Sequence, residues 1–354
     1  MRRTAAILIA TTGLLAGSVG QAAAVGSWTE EPVPTTAESA TLTAAGSAQG
    51  ESWAFGYDGA NPKFQTSAVY RKDEQGWQAV PLDDIGPLTD GAVLAPGDAW
   101  TIGTSPGTGS GSSAHWNGQE WTPIELDPLP GKYVRPLALK AFAPDDVWTV
   151  GHAYSTRGLA QHWDGAKWTD VPVPVLESGG YSLVDVDGAA TNDLWSVGSV
   201  PSTSRGVALH WDGAAWTEVP APDFDPNPEV PEALTNVLAL AADDVWVGGH
   251  TGESQHQIPY TAHWDGTGWE VFELPESGHV TDLIQVGDEV QLFAIGPNLE
   301  PIWYAWTDGE WLGRLAPPMV RVEGAAVQDD GAVLGVGYTG SGDALNPYTA
   351  TYHE

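Results

Sequence analysis

A chain of 354 residues with 46 acidic and 13 basic side chains carries a formal charge of −33. Such a balance excludes nucleic acid and anionic membrane as partners, because binding to either rests on Lys and Arg contacts. The chain has no cysteine, which rules out disulfides and a thiol-linked lipid anchor, so 18 tryptophans and the chain topology must supply the stability.

The first 24 residues read as a secretory signal peptide: Arg2 and Arg3, an apolar stretch over 5–15, then Ala22-Ala23-Ala24 as a small-residue cleavage site. The rest of the twin-arginine pattern is absent, which points to general export. Loss of Arg2 and Arg3 with an acid-free leader takes the charge from −33 to −35. No later apolar run approaches the roughly 20 residues of a membrane span. Residues 25–354 are therefore expected to form one secreted, extracellular domain.

From there the chain repeats. One motif recurs as ESWAFG (Trp53), DAWTIG (Trp100), DVWTVG (Trp148), DLWSVG (Trp195), DVWVGG (Trp246), QLFAIG (Phe293) and AVLGVG (Leu334). A second follows it as HWNGQEW at His115, HWDGAKW at His162, HWDGAAW at His210 and HWDGTGW at His263, with weaker copies ending at Trp77 and Trp311. A period of roughly 40 to 50 residues with several strand signals per unit predicts β-propeller blades.

The third unit shows the four strands expected of each blade. Strand A covers 136–142, strand B 147–151 and strand C 159–163; the Asp164-Gly165 turn leads into strand D from Trp168 to about Pro174. Pro172 and Pro174 cannot donate to a ladder, so strand D belongs at a blade's outer edge. Strand D signatures number seven, but the first, WTEEPVP at 28–34, has no strands A to C before it. The last unit, ending TATYHE, has no strand D after it. The fold expected is an all-β, seven-bladed β-propeller of four antiparallel strands per blade, whose last blade is closed by the N-terminal strand.

The pattern DVWxVG followed by HWDGxxWxxVPxP resembles a class of secreted bacterial repeat propellers, of actinobacterial type, over 28–352. The resemblance implies the propeller architecture and, by analogy with lectin-like propellers, a binding role.

Seventeen of the 18 tryptophans fall on three repeat positions, which marks them as packing residues rather than sugar platforms. The histidines of the second motif lie in four different blades, too far apart to share one ion. Asp145-Asp146, Asn192-Asp193 and Asp243-Asp244 supply too few oxygens for calcium and read as turn residues. The sequence marks no metal and no cofactor. It also marks no catalytic residues: there is no Cys for a galactose-oxidase-type copper site, no sialidase box, and no carboxylate pair that stands out.

Binding is expected where the repeats differ. The loops from B to C and from D to A share one face and vary strongly, as in 105–113, 153–158, 201–206, 224–234 and 251–260. On that face Lys132, Arg135, Arg157 and Arg205 gather in a chain otherwise poor in bases. They are candidates to grip an acidic group, since a guanidinium fits a carboxylate bidentately; local pairing with Glu177 or Asp223 is the alternative. Trp303, outside the repeat positions, is either a ligand platform or filler for the sixth blade. The function expected is a secreted module recognising extracellular carbohydrate. A protein–protein scaffold within an extracellular assembly is the alternative partner class, and a polysaccharide hydrolase or lyase the third reading.

Overall fold

A computed structural model describes residues 26–354 except 36, 62–63, 106–108, 130–132, 154–156, 226, 228, 253–256, 275–277, 297, 299 and 343. The expected signal peptide lies outside the described residues, as do parts of the variable loops. The described strands form seven four-stranded antiparallel sheets. Six are sequential meanders spanning 40–79, 86–125, 134–170, 182–219, 232–273 and 279–313. The seventh is built from both ends of the chain: Arg321–Val327, Val333–Ser341 and Ala344–His353, completed by Ser27–Glu30.

In the third blade the strands are Val134–Ala143, Asp146–Ala153, Arg157–Trp163 and Trp168–Asp170. The outer strand is shorter than its proline-containing pattern suggests, because Pro172 and Pro174 take the backbone out of the ladder directly after Val171. Trp163 and Trp168 are register partners across the last hairpin, as the repeat predicts.

In the first five blades the strand-B tryptophan packs on the hairpin ring pair of the next blade, as Trp53 does on Trp116 and Trp121. Trp100 meets Trp163 and Trp168 with ring centroids 5.6 and 6.2 Å apart, and Trp148 meets Trp211 and Trp216 at 5.0 and 6.0 Å. Trp195 and Trp246 repeat the contact with Trp264 and Trp269 and with Trp306 and Trp311. Most of these pairs are tilted or edge-on, the arrangement that ring quadrupoles favour. One repeated residue therefore builds the interface between blades, and the core is a series of such interfaces rather than one central cluster.

The N-terminal strand closes the ring. Trp28 pairs in register with Tyr352 and Glu30 with Ala350; the Trp28 ring lies 6.3 Å from Phe293 of the sixth blade, and its indole N–H donates to the Leu315 carbonyl at 2.6 Å. Glu31 extends the latch in two directions, accepting from Thr351 Oγ1 at 2.9 Å and from Lys72 Nζ of the first blade at 2.7 Å.

Candidate functional site

The two faces of the disc are built differently. On the turn face, Asn117, Asp164, Asp212 and Asp265 each accept two backbone N–H groups of the C to D hairpin at 2.8–3.0 Å. The following glycine adopts positive φ, 86° at Gly165. A Cβ there would stand 2.8 Å from that of Asp145 in the neighbouring turn, so only glycine fits.

In the second to fifth blades the last acid of the A to B turn serves a histidine. Nε2 of His115, His162, His210 and His263 lies 2.8–2.9 Å from Asp98, Asp146, Asp193 and Asp244. Each imidazole also packs on the strand-B tryptophan with centroids 4.5–4.8 Å apart. In the first blade Arg71 and Glu51 take over the pair. These acids orient a histidine, a side-chain role that local turn chemistry did not suggest. Among the described residues no group of three or more His, Cys, Asp or Glu is placed to hold a metal ion.

Two concavities stand out among the described residues. The axial channel, about 400 Å³, is lined by all seven inner strands. It holds a feature not read from the sequence: Asp90, Asp185 and Asp282 each sit at a bulge of their inner strand. Each carboxylate accepts its neighbour's N–H with one oxygen and, with the other, an N–H of the next blade: Leu139 at 2.7 Å, Val237 at 2.8 Å and Ala325 at 2.6 Å. Asp187 makes the same link to Ala239 while pairing with Lys140. Burial pushes Asp90 and Asp282 up to about 7 and raises Asp185 well above the usual range, against the lowering effect of those N–H bonds. Both oxygens of each are engaged, which gives these acids a structural role. The signal is present as Leu88-Thr89-Asp90, Leu183-Val184-Asp185 and Val280-Thr281-Asp282, in the inner strand, which carries neither of the two repeated motifs.

The second concavity, about 260 Å³, opens on the loop face between the fourth and fifth blades and is lined by Ser199, Ser204, Glu232, His250 and Gln257 among others. Around the same face run the ends of the inner two strands of successive blades. Arg135 is the register partner of His152, and His152 Nδ1 lies 3.2 Å from Ser182 Oγ of the fourth blade. Farther round, His279 is held at about 4, first by burial and then by the charges of Arg321 and His250. Neutral histidines and arginines therefore border the loop-face mouth of a very acidic molecule.

The candidates named from the sequence separate here. Arg157 sends one nitrogen to both oxygens of Asp170 at 2.8 and 2.9 Å. Arg205 pairs at 3.2 Å with Glu232, a buried carboxylate that also accepts the Phe224 and Asp225 N–H groups. Both guanidinium groups are thus held by acids within the fold. The partners are Asp170 and Glu232 rather than Glu177 or Asp223. Lys132 lies outside the described residues. Arg135 is exposed and makes no ion pair among them.

Trp303 is not a platform. It is 1% exposed, stacks on Phe293 at 5.6 Å and meets Trp28 and Tyr352 edge-on. The reason lies in the register. In the third blade Val147 faces Trp163 and Trp148 faces His162; in the sixth, Gln291 faces Ala305 and Phe293 faces Trp303. Gln291, not Phe293, therefore stands at the strand-B tryptophan position, and the Trp303 indole fills the space from strand C while donating to Gln291 Oε1 at 3.1 Å. Trp303→Ala is expected to cost about 3–5 kcal/mol in chemical denaturation, with Trp303→Phe recovering part of it; a loss within error would place the ring outside the core.

No protein-family model and no curated protein matches the chain. Solved structures do. YCF48 bound to a D1 peptide aligns with a TM-score of 0.58 at 17% identity, covering 92% of this chain and 97% of that one. The WD40 propeller domain of Doa1 aligns at 0.61 and 10% identity, covering 93% and 97%. The SapL1 lectin in complex with α-methyl fucoside aligns more loosely, at 0.49 and 15% identity over 80% of this chain and 97% of that one. At these identities what is shared is the β-propeller fold.

Proposed function

We propose that this chain is an exported binding module that recognises extracellular carbohydrate on its loop face. The observation that carries the reading is the division of labour between the faces. Over the second to fifth blades the turn face repeats one set of Asx–backbone, glycine and His–Asp contacts, which leaves little scope for an individual ligand site there. The loop face differs from blade to blade and contains the concavity bordered by Ser199, His250 and Gln257, where hydroxyl, amide and imidazole groups suit sugar hydroxyls. A propeller of similar fold, YCF48, has a bound peptide, which makes a protein ligand the natural competitor.

A glycan array probed with the mature protein separates the two. Binding to a defined set of sugars is the expected result. A blank array together with stoichiometric capture of a purified extracellular protein would replace the carbohydrate reading with a scaffold role.

A further inference from the structure

Arg71, Arg157, Arg205, Arg314 and Arg321 each hold a carboxylate. Arg135 is the exception among the described arginines. It sits at the loop-face end of the inner strand Val134–Ala143, exposed, in a molecule where acids outnumber bases by more than three to one. An arginine left without an acid in such a background is either surplus or reserved for an anion from outside.

Its neighbours favour an outside anion. Its cross-strand partner His152 is kept neutral, by burial first and then by the Arg135 charge, so it competes for no anion and offers hydrogen bonds instead. Ser182 adds a hydroxyl beside it. Tyr133, two residues before Arg135, is 54% exposed. One planar cation, one exposed aromatic ring and two neutral polar groups match a sugar ring that bears a single carboxylate. The guanidinium takes the carboxylate bidentately, the phenol ring covers the apolar C–H face, and His152 and Ser182 meet ring hydroxyls. The chain's own charge repels a run of acidic sugars, which favours one such unit at a chain end.

We propose that Tyr133, Arg135, His152 and Ser182 form a subsite for a terminal uronic acid. This rests on the carbohydrate reading above and names the chemistry of one of its ligand groups.

The test is titration of the mature protein with oligosaccharides ending in glucuronate or galacturonate, each paired with its uncharged methyl ester. An acid is expected to bind about tenfold or more tighter than its ester, as a charge-assisted contact implies, with the preference shrinking as salt rises. Arg135→Ala should abolish the preference at an unchanged melting temperature, since the side chain is exposed; Arg135→Lys should keep part of it. Tyr133→Ala should weaken acid and ester by the same factor. Equal binding of acid and ester, or a preference that survives Arg135→Ala, overturns the subsite while leaving carbohydrate binding intact. Failure of all glycans, charged and neutral, overturns both.

Discussion

Deletion of residues 27–34 is expected to lower the melting temperature by on the order of 10 °C and to make the protein aggregate. The segment supplies the outer strand of the seventh blade, paired from Ser27↔His353 to Glu30↔Ala350, so its loss leaves Ala344–His353 as an open edge. It also removes Trp28, which with Tyr352 receives Phe293 and Trp303 across the interface with the sixth blade. Removing a packed aromatic alone costs about 3–5 kcal/mol. Glu31 adds its bonds to Thr351 and Lys72, which tie the first and seventh blades. Trp28→Ala separates the contributions: it should reproduce a large part of the loss while keeping the strand and suppressing aggregation. A truncated protein that melts like the full chain would show that the ring closes without this strand.

Acidification from pH 8 to pH 5 is expected to stabilise the protein, by about 5 °C or more in melting temperature. Asp90 and Asp282, raised to about 7, and Asp185, raised well above the usual carboxylate range, face a channel that also holds Asp187, Lys140 and Glu323. Burial is the main cause, and the acids also raise one another. A carboxyl whose pKa is higher folded than unfolded binds more protons in the folded state between the two values. Stability is therefore greatest below about 4, the unfolded value, and declines as pH rises towards about 7; Asp185, raised for the same reason, contributes in the same direction. Relief of the −33 surface charge works in the same direction. Asp90→Asn and Asp282→Asn distinguish the two effects: each should lower the melting temperature through the lost backbone bond, yet flatten its dependence on pH. An unaltered slope in the double variant would assign the dependence to the surface.

The legible and illegible parts of this molecule differ in how they use the chain. Blade number, strand order and ring closure could be read because the same residues recur at fixed positions. The orphan WTEEPVP and the unfinished TATYHE complement each other, and the structure joins them. The packing role of the repeated tryptophans, buried on strand B and buried or half-buried in the hairpins, followed from the same regularity. Sequence reading weakened where one blade departs from the pattern. QLFAIG aligns by eye on Phe293, but the ladder shows that Gln291 stands at the tryptophan position, and only that register explains why Trp303 is needed in the core.

The site was harder still, because an arginine's availability depends on partners that are not local. Asp170 reaches Arg157 across a hairpin, and Glu232 reaches Arg205 from the next blade, 27 residues on. Equivalent positions in STRG and TSRG suggested a shared role towards a ligand; what the two share is neutralisation by the fold. Arg135 was one of four bases in the same cluster, and nothing in its sequence context set it apart. Its distinction is the lack of an acid among the described residues, which is a property of three-dimensional surroundings.

The most direct test of carbohydrate recognition on the loop face is hydrogen–deuterium exchange of residues 25–354 with and without the strongest glycan from the array. The expected result is slowed exchange in peptides carrying the loop-face strand ends, around Arg135, His152, Ser182, Ser199 and His250, with the turns at Gly118, Gly165, Gly213 and Gly266 unchanged. Protection centred on those four turns, with the loop-face strand ends unaffected, would contradict it.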